Sequence, residues 1–177
     1  MKRKLQRLVF YSLKFFIGLL AYADSRVYMK YYNWLLKTTG IKVNGTPRFI
    51  AKSVKFDDFD RIILGDRLVV SMNTHFLTHD YSFTTALISI NEMPMQDVGL
   101  LRNIFIGNNV FIGMNCIILP GSNIGNNVII GAGSVVRGVI PDFAIVAGNP
   151  ANVIGDIRVY AQKVKSRNNQ DLHIDKK

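Results

Sequence analysis

The chain is short of cysteine, of histidine and, near its N-terminus, of acid. Its one cysteine, Cys116, excludes a disulfide within the chain and suits a reducing compartment. The three histidines are His75, His79 and His173, and only two of them fall in the central part of the sequence, so no metal site is expected. No apolar run is long enough to span a bilayer comfortably. Leu8 to Tyr22 holds fifteen mostly apolar residues interrupted by Lys14, where a span needs about 20. The same lysine, and a weak Ala21-Tyr22-Ala23 cleavage match, count against a secretory signal. Residues 1–42 carry nine Lys/Arg against the single acid Asp24, a net +8, while the remainder holds thirteen bases and eleven acids. The basic character therefore belongs to the N-terminus. No basic groove is spread along the chain and no nucleic-acid motif stands out, so no nucleic-acid partner is expected.

What is present is a repeat. Ile106, Ile112, Ile118, Ile124, Ile130 and Val136 stand six residues apart, and glycine follows four of them as Gly107, Gly113, Gly125 and Gly131. A period of six is neither the helical 3.6 nor the strand alternation of two. It describes a short strand, a turn and a repeat, with one large apolar side chain pointing inward each time. That is the hexapeptide form of a parallel β-helix, with three sides and about 18 residues per coil. The phase appears earlier in Leu64-Gly65 to Leu68, Val70 and Phe76. Flat outer faces bearing apolar groups favour self-association.

Around this domain, placed at 43–157, the pattern changes. Residues 1–42 show helical spacing in Phe15, Phe16, Leu19 and Leu20, and again in Tyr28, Tyr31, Tyr32 and Leu35. Helices over roughly 4–22 and 25–38 are expected, ending near Gly40. They either pack on the solenoid or a neighbouring subunit, or form an interfacial membrane helix whose bases meet anionic lipid. Gly45-Thr46-Pro47 opens the β region. The six-period vanishes over 81–101, which reads as a long loop thrown out of the coil, and such loops are usually functional. A looser coil follows through Ile145-Val146. Residues 158–177 form a polar tail with a short terminal helix.

The run IGNNVFIGMNCIILPGSNIGNNVIIGAGSVVRGVIPDFAIVAGNPANVI, residues 106–154, resembles the hexapeptide-repeat acyltransferases. Within them it is similar to the sugar and polysaccharide O-acetyltransferases. Leu77-Thr78-His79-Asp80-Tyr81-Ser82 resembles the segment that carries their catalytic histidine, and the long loop follows it as in the family. The resemblance, covering about 47–157, implies a left-handed parallel β-helix and a homotrimer with active sites between subunits. It implies acetyl-CoA as cosubstrate and a sugar or glycan precursor as acceptor. It makes His79 the general base and the backbone N–H of Met114, after Gly113, an oxyanion donor. Phe111 takes a position often held by Trp beside coenzyme A, Ala132 and Gly133 match the small residues under its pantetheine arm, and Arg137 stands near its distal part. Gly148-Asn149-Pro150 matches the cap of the last coil. The family often has a base where Asn152 stands, and Arg137-Gly138 replaces a common Thr-Lys pair.

The residues themselves suit acetyl transfer to a hydroxyl. A sugar hydroxyl needs a base to take its proton, histidine titrates near neutral pH, and the tetrahedral oxyanion needs preorganised donors. Asp80 either orients His79 or begins a turn. Asp57 and Asp58, about one coil earlier, either touch acceptor hydroxyls or form a solvated turn. His75 either lines the acceptor cleft or decorates the surface, His173 lies in the tail, and Cys116 fills a small inward position. Three other readings stand beside this one: N-acylation of a nucleotide-linked amino sugar, a carbonic anhydrase-like metalloenzyme of the same fold, and a non-catalytic scaffold. The expected location is the cytoplasm, at the inner face of the membrane if residues 1–42 form the interfacial helix rather than pack on the solenoid.

Overall fold

In a computed structural model, which describes residues 2–167, the chain runs as two helices, a three-sided parallel coil and a C-terminal helix. Strands of two to five residues stack in register into three faces. The first face holds Lys42–Val43, Ile62–Leu64, Ile104–Ile106, Asn123–Ile124 and Val139–Ile140. The second holds Phe49–Ile50, Val69–Val70, Phe111–Ile112, Ile129–Ile130 and Ala144–Gly148, closed by the antiparallel strand Ala151–Asp156. The third holds Lys55–Phe56, His75–Phe76, Ile117–Ile118 and Val135–Val136. Phe111 pairs with Ile129 and Ile117 with Val135, the expected 18-residue step. The earlier coils are longer. Phe49 pairs with Val69 and Lys55 with His75, a step of 20, because the 3-10 turn Phe59–Arg61 enlarges one corner. Lys42–Val43 already pairs with the coil, so the β region begins before the Gly45-Thr46-Pro47 break.

Every residue of the six-period, from Ile106 to Val136, is buried. Small inward corner positions are filled by Val54, Thr74, Cys116 and Ser134, so the thiol is a core group as its position suggests. Opposite, the corner between the first and second faces is held by a polar ladder. The side-chain oxygens of Asp66, Asn108, Asn126 and Asp142 accept the backbone N–H of Thr46, Asp66, Asn108 and Asn126 at 2.7–2.9 Å. Each bond satisfies a backbone donor that the turn would otherwise leave unpaired. The coils approach so closely here that a Cβ on Gly107 would lie 2.5 Å from the Gly125 carbonyl oxygen, which explains the recurring glycine.

The helix α1 (Lys2–Leu20) and the helix α2 (Ser25–Thr38) pack on each other and on the first coils. Asp24 caps α2 by accepting the N–H groups of Arg26 and Val27. Tyr28 donates its hydroxyl to the Ile50 carbonyl at 2.7 Å, and Tyr28, Tyr32, Leu35 and Leu36 are buried. One stripe of α1, with Phe10 and Lys14 buried and Ile17 partly so, faces the coil. Its opposite stripe is also apolar but bare: Leu5, Leu8, Phe16 and Leu19 are 62%, 65%, 66% and 54% exposed. Among the described residues no helix is long and apolar enough to cross a membrane.

The excursion after the second coil is not a structureless loop. His79–Asp80 pairs antiparallel with Leu100–Leu101, and between them lies α3 (Ser82–Ser89), none of whose residues is buried. That ribbon closes the base of the loop and fixes His79 at the corner between the third and first faces. The chain ends its described part with α4 (Ile157–Ser166), capped by Asp156.

Candidate active site

Leu77 continues the third face, since its N–H donates to Ile118 O, and Thr78 O then accepts Arg102 N–H at the root of the excursion. His79, the next residue, is therefore anchored by backbone on both sides. Its Nδ1 lies 2.7 Å from Asp57 Oδ2 and 3.5 Å from Asp58 Oδ2, one coil below. Both carboxylates are less than a fifth exposed, while the imidazole is about a third exposed. Asp57 Oδ2 also accepts the Thr78 N–H, and Asp58 Oδ2 accepts the Thr78 hydroxyl. Their Oδ1 atoms face Arg7 Nη2 of α1 at 3.3 and 3.4 Å. The arrangement assigns the Nδ1 proton toward Asp57, which leaves the Nε2 lone pair of the neutral ring open to accept a proton.

This placement decides between the two readings of Asp80 and corrects the readings of Asp57 and Asp58. The carboxylate set against His79 is that of Asp57, not Asp80. Asp80 follows His79 in an extended strand, where neighbouring side chains point to opposite sides. Its oxygen instead accepts the Ser82 N–H at 2.9 Å, and hydrogen bonding to the Ser82 side chain first and to that N–H second holds this exposed carboxyl below its usual range, with Arg137 and Arg102 adding to the effect. Asp57 and Asp58 do not form a solvated turn, because His79, Thr78 and Arg7 hold their oxygens. Arg7 gave no sequence signal. It stands 50 residues from Asp57 and reaches it only because α1 folds back on the coil.

Met114 lies at another corner, between the second and third faces. The amides on either side of it are taken, Gly113 N–H by Ile130 O and Asn115 N–H by Met72 O. The Met114 N–H has no acceptor among the described residues. Ala132 and Gly133 sit one coil on at this same corner, where Gly133 N–H bonds Met114 O at 2.8 Å. A Cβ on Gly133 would meet nothing within 4 Å, so the surface there is an open strip. Phe111 projects outward from the adjoining second face and is half-exposed.

One chain thus does not bring all these groups together. His79, Asp57 and Arg137 share the third-to-first corner, while Met114, Gly113, Ala132 and Gly133 share the second-to-third corner. From Met114 to Leu119, beside Leu77, is five residues of mostly extended chain, about 16 Å. His75 belongs to neither corner. It points out from the third face between Lys55 and Ile117, partly buried, and four residues from His79. His173 lies outside the described residues.

A family model described as bacterial transferase hexapeptide (six repeats) matches residues 103–138. Protein CapG of Staphylococcus aureus is 38% identical over 131 residues, covering 73% of this chain and 73% of its own. WbbJ of Escherichia coli (strain K12), named as a lipopolysaccharide biosynthesis O-acetyl transferase, is 51% identical over 115 residues, 60% of this chain and 59% of that one. Among solved structures, a galactoside acetyltransferase in complex with coenzyme A superposes with a TM-score of 0.62 over 98% of this chain and 90% of that one, at 22% identity. At that identity the likeness speaks for the fold, a left-handed parallel β-helix. With the repeat, the stacked faces and the kinship to CapG agreeing, the chain belongs to the hexapeptide-repeat acyltransferases.

Proposed function

We propose that the protein transfers the acetyl group of acetyl-CoA directly to a hydroxyl of a sugar or polysaccharide precursor, with His79 as general base. The observation that carries this reading is the 2.7 Å contact between His79 Nδ1 and Asp57. It sets the tautomer and aim of the ring and stabilises the imidazolium that forms. His79 Nε2 takes the acceptor proton as the hydroxyl oxygen attacks the thioester carbonyl. The Met114 N–H receives the oxyanion. As the C–S bond breaks, the imidazolium returns its proton to the departing thiolate, so no covalent enzyme intermediate is needed. The names of WbbJ and of the galactoside acetyltransferase support a sugar acceptor.

Because the base and the donor lie at different corners, the working site joins the His79 corner of one subunit to the Met114 corner of the next. A homotrimer with three such junctions closes the arrangement without open edges. The open strip at Ala132 and Gly133, beside Phe111, suits the pantetheine arm, and Arg137 suits an anionic end of coenzyme A. The bare apolar stripe of α1, in a segment of net charge +8 over residues 1–42, supports peripheral contact with an anionic membrane. The test is thiol release from acetyl-CoA with a panel of sugar acceptors, with mass analysis for one added acetyl group per product.

A further inference from the structure

Between α1 and the third face runs a groove of about 530 Å³ that the reaction above does not use. Its polar lining includes Lys14, Lys52, Lys55 and His75, and no carboxylate lines it. None of these three lysines forms an ion pair among the described residues. Lys52 stacks on the Tyr22 ring at 3.8 Å, and Lys14 donates to the Val54 carbonyl among the rings of Phe10, Tyr11, Tyr32 and Phe56, so no carboxylate balances either charge. Burial first, and Lys55 second, push the Lys14 ammonium down to about 8, as expected where cations crowd without a counter-charge. Ser53 and Asn73 complete the polar lining, and at the outer side stand the apolar Phe15 and Leu19, both more than half exposed. The groove borders a smaller one of about 220 Å³, with which it shares Tyr11, Lys55 and His75. Asp57, the residue that holds His79, lines that smaller groove.

We propose that this groove binds the phosphate and the first part of the apolar chain of a lipid-phosphate-linked acceptor. The phosphate settles among Lys52, Lys55 and Lys14, and the chain leaves over Phe15 and Leu19. The sugar extends through the smaller groove toward His79. Anionic charge answers the lysines, and only an apolar chain matches an outer lining of exposed aromatic and aliphatic side chains. The inference rests on the acetyltransferase reading and deepens it by naming the acceptor class.

The experiment is a direct titration of full-length protein with farnesyl phosphate below its micelle-forming concentration, alongside farnesol and inorganic phosphate. Because it reads binding alone, its failure is separate from failure of acetyl transfer, which thiol release from acetyl-CoA with a small free glycoside reports independently. Farnesyl phosphate is expected to bind at least tenfold more tightly than either fragment. Lys55→Glu and, separately, Lys52→Glu are expected to weaken it at least tenfold with an unchanged melting temperature, and Gly18→Leu, narrowing the groove from α1, should weaken it too. Equal affinity for farnesol or for inorganic phosphate overturns the proposal. So does farnesyl phosphate binding that is absent, or indifferent to all three substitutions.

Discussion

Asp57 Oδ2 and His79 Nδ1 lie 2.7 Å apart although 22 residues separate them in the chain. Two features make the contact. The second coil closes 20 residues after the first, so Lys55 stands under His75 and Asp57 under Leu77. The ribbon of His79–Asp80 with Leu100–Leu101 then stops the chain from running on along the face. If Asp57 is the group that orients the base, Asp57→Asn should lower kcat by about 10²–10⁴-fold, the range typical of lost base function. Asp80→Asn should stay within a few-fold of the parent. Steady-state kinetics of the pair decides the matter, and the reverse ranking would restore Asp80 as the orienting group.

The divided site predicts complementation. His79→Ala removes the base from one corner, and Ala132→Trp blocks the strip at the other. Each homotrimer should be nearly inactive. Co-expressed at equal levels, they should recover about a quarter of parental activity, because random assembly pairs an intact base with an intact strip at about one junction in four. Light scattering should show trimers throughout. A mixture no more active than its components would place the whole site within one chain.

Much of this fold was readable from spacing. Each position that the six-period marks from Ile106 to Val136 does point inward, because a coil of fixed length must return one large apolar group to the core at each side. Legibility fades where coil length changes. The extra residues around Phe59–Arg61 shift the early phase, and that shift hides the stacking of Asp57 below the His79 corner. α3 escaped notice because Ser82–Ser89 buries none of its residues and so carries no core-facing stripe. His79 could be found from its motif, whereas Arg7 could not, because only the tertiary fold-back of α1 brings it to Asp57 and Asp58.

The outer stripe of α1 predicts a salt-sensitive attachment to anionic vesicles. Replacing Leu5, Leu8 and Phe16 together by serine should abolish co-sedimentation without loss of stability, because all three are largely exposed. Removing residues 1–42 is a poorer test, since Phe10, Tyr28 and Tyr32 cover the first coils. Full retention on vesicles by the triple substitution would assign the stripe another role.

Lys14 predicts a distinctive pH dependence. Its ammonium is lowered to about 8 in the fold against 10.5 when unfolded. Between those values the unfolded chain binds a proton that the native one does not, so rising pH favours the fold. Relative to Lys14→Met, the parent should therefore gain stability from pH 8 to 10.5, by at most about 1.4 kcal/mol per pH unit. The difference should be flat below pH 7. Denaturant melts across this range report it, and a difference that falls as pH rises would contradict the burial of a charged Lys14.

The central claim is that His79 removes the acceptor proton. The most direct test is kcat for His79→Ala with acetyl-CoA and a sugar acceptor, beside acetyl-CoA affinity and assembly state. The account predicts a loss in kcat of at least about 100-fold, with acetyl-CoA binding near normal and the trimer intact, while His75→Ala leaves turnover within a few-fold of the parent. A His79→Ala protein that keeps most of its turnover would contradict it.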